Sequence, residues 1–283
     1  MIRKIFLSIL FFLLIIVTQA QNFSAVVFAG ASNYQGDLQD KKYTFQQAHP
    51  AFGFGGLYEI TNNLSAKTNI TFAKVSADDK FSSEADIRAR NLNFTSLITD
   101  IHLGLEYNFL SLYQHRLTPY IFAGIGVFHF NPYTYDSGQK VYLQPLGTEG
   151  EGFYDGRKKY ALTQVNIPFG GGFKYAINDN VRIGIEVGLR KLFTDYLDDV
   201  STTYVDKALL LANYGPEAVK LAFRGNELNP ALPYPPNGTI RGDPKSKDWY
   251  YFTLLTVSFR IQGSSEKNNP GGKSQVRCPT RIL

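Results

Sequence analysis

The sequence predicts an all-β fold: an eight-stranded antiparallel transmembrane β-barrel with long extracellular loops and a periplasmic C-terminal tail. Three observations predict it, namely a secretory signal pattern at the start, eight segments of alternating apolar and polar residues, and connections that are short and long in turn. Val181–Arg190 shows the alternation most clearly, with an aliphatic residue at every odd position and a charged residue or glycine at every even one. Such a pattern builds a strand with one apolar and one polar face.

The first twenty residues have the pattern of a cleaved secretory signal peptide. Arg3 and Lys4 precede the apolar run Ile5–Val17, and Ala20 supplies a small residue at the expected cleavage point. The run is shorter than the roughly 20 residues of a spanning helix, which disfavours an uncleaved anchor. The expected organisation is a signal peptide over 1–20, a barrel over 21–262 and a flexible tail over 263–283.

The eight alternating segments are the predicted strands. The first and fifth carry bulky apolar residues on both faces, so the pattern leaves open which of their faces turns inward. In chain order the predicted strands are Asn22–Ala31, Pro50–Ile60, Leu64–Val75, Phe94–Phe109, Thr118–Asn131, Gln164–Ile177, Val181–Thr194 and Asp248–Gln262.

The connections alternate in length. Those after the even-numbered strands are short (61–63, 110–117 and 178–180), and those after the odd-numbered strands are long (32–49, 76–93, 132–163 and 195–247). An even strand number with short turns at one end and long loops at the other is typical of a bacterial outer-membrane barrel, so outer-membrane lipid is the expected partner of the apolar face. Because alternation alone does not say what the apolar face contacts, a secreted soluble sandwich or lipocalin-like barrel remains the alternative.

An eight-stranded barrel has room inside only for its own side chains. Charges of both signs are predicted to point inward and to pair with one another, with glycines making room for the long side chains. A proton or ion path through the same groups is the alternative. The predicted lumen charges are Glu59, Lys67, Asp100, His102, Glu106, Lys174, Arg182, Glu186, Arg190 and Arg260, and the glycines are Gly104, Gly170, Gly172, Gly184 and Gly188.

The longest loop contains two predicted helices, Tyr204–Asn213 and Pro216–Arg224, with Gly225 beyond the end of the second. Their apolar side chains are expected to pack on the barrel mouth or on a partner. These side chains are Leu209, Leu210, Val219, Leu221 and Phe223.

Few residues suggest chemistry. Asp195, Asp198 and Asp199 could offer oxygen ligands to calcium, but their spacing is not that of an EF-hand, which favours a solvated loop or a hydrogen-bonding cap. The four histidines have no metal-ligand spacing, and neither a metal nor a cofactor is expected. His129 beside a loop serine is the one option for a lipid-modifying enzyme, although a rim position explains it more simply. The net charge, which falls to an excess of three basic residues once Arg3 and Lys4 are removed, does not suggest a nucleic-acid partner.

The C-terminal segment is polar and rich in Gly, Pro and Ser, and is expected to be a flexible periplasmic tail. It ends in an apolar and basic patch around the only cysteine of the chain, which excludes an internal disulfide and leaves an intermolecular one open. The predicted partner-binding residues are Val276, Arg277, Cys278, Pro279, Arg281, Ile282 and Leu283.

Three stretches carry a family resemblance. Gly30–Leu38 follows the first strand, Asp195–Asp206 (DYLDDVSTTYVD) follows the seventh, and Arg241-Gly242-Asp243 with Lys247–Tyr250 opens the last. The chain resembles the PorG-like (DUF6089) outer-membrane proteins of Bacteroidota. The resemblance implies a part in the type IX secretion and gliding machinery, in which the barrel holds a periplasmic ring of a PorK/GldK-type lipoprotein and a PorN/GldN-type companion. It implies no catalytic residues.

The leading functional hypothesis is therefore a non-enzymatic barrel that anchors such a ring. A stand-alone adhesin acting through loops 132–163 and 195–247 is the second hypothesis, and a lipid-modifying enzyme is the third.

Overall fold

The computed structural model describes residues 22–39, 44–154 and 156–261. Eight long strands form one antiparallel sheet that closes on itself, because β3 pairs with both β2 and β4. A short hairpin, β6–β7, extends from β4. The strands are β1 (Phe23–Gln35), β2 (His49–Glu59), β3 (Leu64–Asp78), β4 (Asn93–Asn108), β5 (Leu117–His129), β6 (Tyr133–Asp136), β7 (Gln139–Tyr142), β8 (Thr163–Ala176), β9 (Val181–Leu192) and β10 (Trp249–Arg260).

The closed eight-stranded barrel confirms the predicted fold, and each predicted strand overlaps one observed strand. The largest difference is in β1, which continues four residues beyond its predicted end, to Gln35. Its pairing with β10 runs without interruption to Gln35↔Trp249, so backbone hydrogen bonds extend the strand through a polar stretch where apolar alternation has stopped. The predicted signal peptide and tail lie outside the described residues.

The outward face of the barrel is a continuous apolar belt. Alternate residues on each strand expose aliphatic or aromatic side chains, while their neighbours face inward and are largely buried. A soluble protein would not leave this much contiguous apolar surface in water, whereas hydrocarbon requires it. Members of the belt include Val27, Phe54, Phe72, Leu97, Ile101, Leu103, Leu105, Ile121, Ile125, Val127, Val165, Phe173, Ile183, Ile185, Val187 and Leu255.

The wall has one irregular place, between β5 and β8. Their pairing is interrupted between Ala123↔Phe169 and Gly126↔Asn166. Pro168 lies in this gap and has no N–H to donate to the ladder. Beside the gap, the outer surface has an apolar concavity of about 720 Å³ lined by Ile101, Leu103, Ile125, Val127, Val165 and Ile167, among others.

The four long connections all lie at one end of the barrel, which we call the long-loop end. Their described residues, within 36–48, 79–92, 130–162 and 193–248, form the cap. The helices of the cap are α1 (Ala85–Arg90), α2 (Lys207–Ala222) and α3 (Gly225–Leu228). None of these helices combines the length and the hydropathy needed to cross a membrane. The three short turns lie at the opposite, short-turn end.

The cap contains a small apolar core of its own. Val205, Leu210, Ala218 and Ala222 are buried together, with Tyr214 and other half-buried aromatic residues packed around them. This core explains why a connection of more than fifty residues, 193–248, forms defined structure above the barrel.

The two predicted loop helices form one element that is broken at Gly215, whose φ of 83° lies in the left-handed region. Leu210 and Leu221 are buried as expected, but Leu209 was wrongly predicted to be covered, since it is 46% exposed. Leu209 and Leu210 are neighbours on a helix and cannot both face the small core. Gly225 begins α3 instead of ending the helical region. The hairpin β6–β7 and α1 were not predicted, because each is too short to show a period.

A charge placed in the belt should destabilise the barrel. We expect Ile185→Arg, in the middle of β9, to lower the free energy of unfolding by about 2–4 kcal/mol, since hydrocarbon cannot solvate the guanidinium. Denaturant unfolding in lipid vesicles, followed by the fluorescence of the single tryptophan, measures this. Leu228→Arg in α3 is the control and should change stability by less than about 0.5 kcal/mol, because Leu228 is exposed in the cap. Equal losses in both variants would contradict a lipid-facing belt.

Candidate functional site

The lumen holds three layers of charged side chains. In the middle layer, Lys67 and Lys174 lie between Glu106 and Glu186, all nearly fully buried. Lys67 forms an ion pair with Glu186 and lies 3.5 Å from Glu106, and Lys174 forms an ion pair with Glu106. The Tyr120 hydroxyl donates to Glu186 at 2.7 Å, and both lysine ammonium groups also lie over the Tyr120 ring. Two positive and two negative charges therefore balance here.

The layer nearer the cap is centred on Asp100. Arg190 Nε lies 3.3 Å from Asp100 Oδ1, and Tyr250 and Asn166 each donate to Asp100 Oδ2 at 2.7 Å. His102 Nδ1 lies 3.4 Å from an Arg190 nitrogen, and its ring stacks on an aromatic neighbour. A buried carboxylate with an arginine partner and two further donors is a satisfied anion.

The third layer closes the short-turn end. Arg182 donates to Glu59 at 2.7 Å, and Arg260 also donates to Glu59, at 3.3 Å. Tyr113, from the turn between β4 and β5, donates its hydroxyl to Glu59, and both guanidinium groups lie within 6 Å of its ring centre. The turn therefore places an aromatic side chain across the barrel opening.

All ten charged residues predicted for the lumen lie on the inner face, where the structure brings them into these layers. Sequence reasoning missed four of their uncharged partners. Tyr120 is on the strand whose orientation was ambiguous, Tyr113 is in a turn, and Tyr250 and Asn166 carry no charge to mark them. A search for inward tyrosine hydroxyls would have found Tyr120 and Tyr250 once the register was known.

Little space remains among these side chains. The cavity beside Lys67, Tyr120 and Glu186 has a volume of about 10 Å³, which is near the minimum for one water molecule. Gly188 contributes to this filling, since a Cβ there would lie only 3.0 Å from an Arg190 nitrogen and 3.1 Å from the Phe122 ring. A Cβ at Gly184 would lie 3.4 Å from the Lys174 side chain, and one at Gly170 would lie 3.0 Å from the Phe122 ring, whereas Gly104 and Gly172 meet only the backbone of the neighbouring strand.

At the barrel mouth, Tyr34 joins two aspartates. Its hydroxyl lies 2.5 Å from Asp198 Oδ2 and 3.1 Å from Asp248 Oδ1, and all three residues are buried. Gly36 permits this approach, because a Cβ there would collide with both the Tyr34 hydroxyl and Asp248 Oδ1. Asp248 also accepts the Leu197 N–H at 2.8 Å, which ties the start of the longest loop to its end.

A second buried group in the cap surrounds Glu149. Its carboxylate accepts the backbone N–H groups of Ser201 and Thr202 and forms an ion pair with Arg241 at 3.0 Å. Arg241 also donates to the Asp199 carbonyl at 2.6 Å. The loop 130–162 and the two ends of loop 193–248 are held together by these contacts.

Arg90, at the end of α1, connects the loop 79–92 to the same region. It donates to both carboxylate oxygens of Asp79 at 2.8 Å and to the carbonyls of Asp37 and Arg241. Four loops therefore converge on two buried arginines, Arg90 and Arg241.

The cap contains more buried acid than base. Its described residues bury seven carboxylates but only two arginines, Arg90 and Arg241. Burial raises the pKa of Asp199 to about 6, although Arg241 opposes the rise. Burial, together with Asp199 and Glu149, raises the pKa of Glu151 to about 8. The buried carboxylates are Asp79, Glu149, Glu151, Asp195, Asp198, Asp199 and Asp248.

The predicted aspartate group in the longest loop is buried, so of the two alternatives the solvated loop was wrong and the hydrogen-bonding role agrees with the structure. Each member instead accepts hydrogen bonds within the cap: Asp195 from Ser201, Asp198 from Tyr34, and Asp199 from the hydroxyls of Thr148 and Tyr160. Loop helices and aromatic residues cover the mouth and remove it from water. In the described part of the chain, no group of three potential ligands has a geometry that could hold a metal ion.

His129 lies at the end of β5, as expected for a rim residue. It faces outward, and its Nδ1 lies 2.9 Å from the Thr163 hydroxyl on the paired strand. This contact is not the histidine and carboxylate arrangement of a hydrolytic site.

The three sequence stretches that carry the family resemblance meet at this mouth. Gly30–Leu38 supplies Tyr34 and Gly36, Asp195–Asp206 supplies the aspartates and the N–H groups around Glu149, and the last stretch supplies Arg241 and Asp248. Stretches that are far apart in the chain thus build one buried polar centre.

Fold and site together define an outer-membrane type of β-barrel with a filled lumen and a covered mouth. The chain belongs to the family described as a domain of unknown function, DUF6089, whose model matches residues 3–213. No curated protein matches the chain.

Several solved structures are similar to this chain. Neisserial surface protein A is 9% identical with a TM-score of 0.42, and the match covers 84% of this chain and 97% of that one. OprG from Pseudomonas aeruginosa is 11% identical with a TM-score of 0.41, covering 84% and 96%. Ail, the attachment invasion locus protein of Yersinia pestis, is 11% identical with a TM-score of 0.38, covering 84% and 98%.

Removing one charge from the middle layer should destabilise the barrel. We expect Glu186→Gln to cost about 3–5 kcal/mol, because it leaves the lysines with an uncompensated buried charge. The double variant Lys67→Met/Glu186→Gln restores the balance and should lose less. Denaturant unfolding in vesicles compares the two variants, and a single variant no less stable than the double one would refute charge balance as the constraint.

Removing Arg241 should loosen the cap and leave the barrel intact. In Arg241→Met, Glu149 loses its cation, and we expect hydrogen exchange in residues 195–206 to accelerate by about tenfold or more, since a broken buried pair costs several kcal/mol. Exchange in β9 should not change. Lys245→Met, at an exposed position of the same loop, is the matched control. Unchanged exchange around Ser201 would show that the pair does not hold the loops.

Proposed function

We propose that this chain is a non-enzymatic outer-membrane anchor that holds a periplasmic ring of the type IX secretion and gliding machinery. The filled lumen is the observation that carries the proposal. Three layers of paired charges fill the lumen, and the cavity beside the middle layer has a volume of only about 10 Å³, which supports a barrel that serves as a membrane attachment and not as a pore. Family membership supports the same role through the resemblance described above.

In this proposal, the short-turn end faces the periplasm and the cap faces the exterior, as short periplasmic turns and long outer loops are usual for such barrels. β1 begins and β10 ends at the short-turn end, where the Ile261 N–H donates to the Phe23 carbonyl at 2.8 Å. The described part of the chain therefore ends, at Ile261, on the side of the ring. We propose that Val276–Leu283 contacts the ring, and that Cys278 can form a disulfide with another chain.

A surface-binding barrel is the second candidate. The specific observation in its favour is that the cap is a folded unit with its own apolar core, Val205, Leu210, Ala218 and Ala222. A connection that served only to join β9 to β10 would need no such core. A surface binder would act through the cap and would not depend on the tail.

Deleting the C-terminal segment and replacing part of the cap, in separate variants, distinguishes the two candidate functions. We expect deletion of residues 263–283 to abolish co-purification of the PorK/GldK-type lipoprotein and its PorN/GldN-type companion from detergent-solubilised membranes, with loss of secretion. Replacing 204–239 with a short Gly-Ser linker should change neither result, because the Tyr204 N–H and the Thr239 carbonyl are only 2.9 Å apart and a linker can join them. Mass spectrometry of the co-purified chains measures both.

Two further variants sharpen this comparison. Scrambling Val276–Leu283 at constant length and composition should abolish binding if sequence, and not length, carries the contact. Cys278→Ser should remove any larger band from a non-reducing gel of native membranes. Retention of the ring proteins by the deletion variant would refute attachment through the tail, and loss of a partner on cap replacement would favour the surface binder.

A further inference from the structure

Four aspartates from two loops lie together at the barrel mouth, and three of them surround the Tyr34 hydroxyl. Asp195 and Asp198 follow β9, Asp248 precedes β10, and Asp37 follows β1. We call these four residues the mouth aspartates. Asp37 accepts the Asp243 N–H at 2.9 Å, and Asp195 accepts the Ser201 hydroxyl at 2.8 Å. They therefore lie where the first loop meets both ends of the longest loop.

The Tyr34 hydroxyl has too few hydrogen atoms to donate to both carboxylate oxygens that lie beside it. The hydroxyl has one hydrogen, but a carboxylate oxygen lies within hydrogen-bond distance on either side, Asp198 Oδ2 at 2.5 Å and Asp248 Oδ1 at 3.1 Å. The second contact is a hydrogen bond only when one of the two carboxyl groups carries a proton of its own. With both carboxyls ionised, one buried oxygen faces the lone pairs of the tyrosine.

Two other oxygens show the same shortage. Asp37 Oδ2 and Asp195 Oδ1 are buried, and no hydrogen-bond donor reaches them among the described residues. Gly242 packs against Asp37, since a Cβ there would lie 2.5 Å from Asp37 Oδ2. A protonated carboxyl group at either position can donate a hydrogen bond, whereas an ionised one leaves a buried charge without compensation.

The surrounding charges do not neutralise the mouth aspartates. Arg90, the buried cation that acts on Asp37 and Asp198, is already bound to both carboxylate oxygens of Asp79. Lys247 is exposed and donates to the Pro244 carbonyl. The other charged groups that face the cluster, Glu149 from loop 130–162 and Asp243 from the longest loop, are negative.

We propose that the mouth aspartates share protons and form a pH-sensitive latch that closes the cap over the barrel. In the protonated state, the carboxyl groups donate hydrogen bonds to acceptors within the cluster, and these bonds join the first loop to the longest loop. Loss of these protons leaves up to four negative charges in one buried place, and the loops separate. The ion pair between Glu149 and Arg241 is a separate attachment, and Asp199 and Glu151 beside it also have raised pKa values.

The direction of the pH effect follows from burial. Burial raises the pKa of Asp37 to about 7 and that of Asp195 to about 6, and burial with the other aspartates raises the pKa of Asp198 and Asp248 well above the ordinary range. A carboxyl group whose pKa is raised in the folded state stabilises the closed cap at acidic pH. This stability is fully present below the ordinary pKa of an aspartate, about 4, and is lost as the pH rises through the folded-state values of about 6 for Asp195 and about 7 for Asp37.

Hydrogen exchange of the full chain in lipid nanodiscs tests the latch. After correction for the intrinsic exchange rate, residues 195–200 and 243–248, which contain the Leu197, Val200 and Asp243 amides that donate to the mouth aspartates, should exchange about tenfold faster or more at pH 8.5 than at pH 5.5, the factor that one pKa unit represents. Residues 181–190 in β9 provide the internal reference and should keep one rate. Equal corrected rates at the two pH values in the wild-type chain would overturn the proposal.

Isosteric variants assign the effect to these side chains. In Asp195→Asn/Asp248→Asn, the amide of residue 248 can donate to Tyr34 as the protonated acid does, so the pH ratio should fall clearly below that of the wild-type chain, with Asp37 and Asp198 left to titrate. Asp206→Asn is the matched control, since Asp206 caps α2 outside the cluster and asparagine caps equally well; it should keep the wild-type ratio. An undiminished ratio in the double variant overturns the assignment. Opening at pH 5.5 on addition of EDTA also overturns it, because a bound cation would then hold the loops.

Discussion

The structure depends on one constraint: a closed wall in hydrocarbon turns the charged residues in the middle of its strands inward, into a space that only side chains can fill. Bulk water cannot solvate these charges there, so each must find a partner of opposite sign. The layers around Asp100, Glu186 and Glu59 meet this requirement at three heights along the barrel. Tyr113, from the turn between β4 and β5, completes the filling at the short-turn end.

The mouth follows a different rule from the lumen. In the middle layer two lysines face two glutamates, and balance is reached by pairing. In the cap, seven buried carboxylates face two arginines, and pairing cannot neutralise them. The lumen is consequently a structure whose charges are compensated internally, whereas the mouth has to exchange protons with the medium. Both solutions occur in one chain because the wall isolates the lumen from water, while the loops can move apart.

Much of this arrangement could be predicted from the sequence, and the rest could not for physical reasons. Period-two alternation locates strands and selects inward residues, so the eight strands and the ten lumen charges could be named. The alternation does not predict which charged residues form ion pairs with each other, because pairing across the lumen depends on the register and tilt of the strands. Asp198 and Asp248 illustrate the limit: fifty residues separate them, and only a folded mouth places both against Tyr34.

The interruption at Pro168 has a consequence for the mechanics of the wall. A continuous ladder resists sideways opening through its main-chain hydrogen bonds, and this ladder lacks them at one height between β5 and β8. At that height Asn166 on β8 reaches across the lumen to Asp100 on β4 and to the Tyr250 hydroxyl on β10. These side-chain hydrogen bonds thus support the wall where the pairing of β5 with β8 is interrupted. At this height, hydrogen bonds across the lumen resist lateral pressure from the bilayer, so the interior side chains help to maintain the circular cross-section of the barrel.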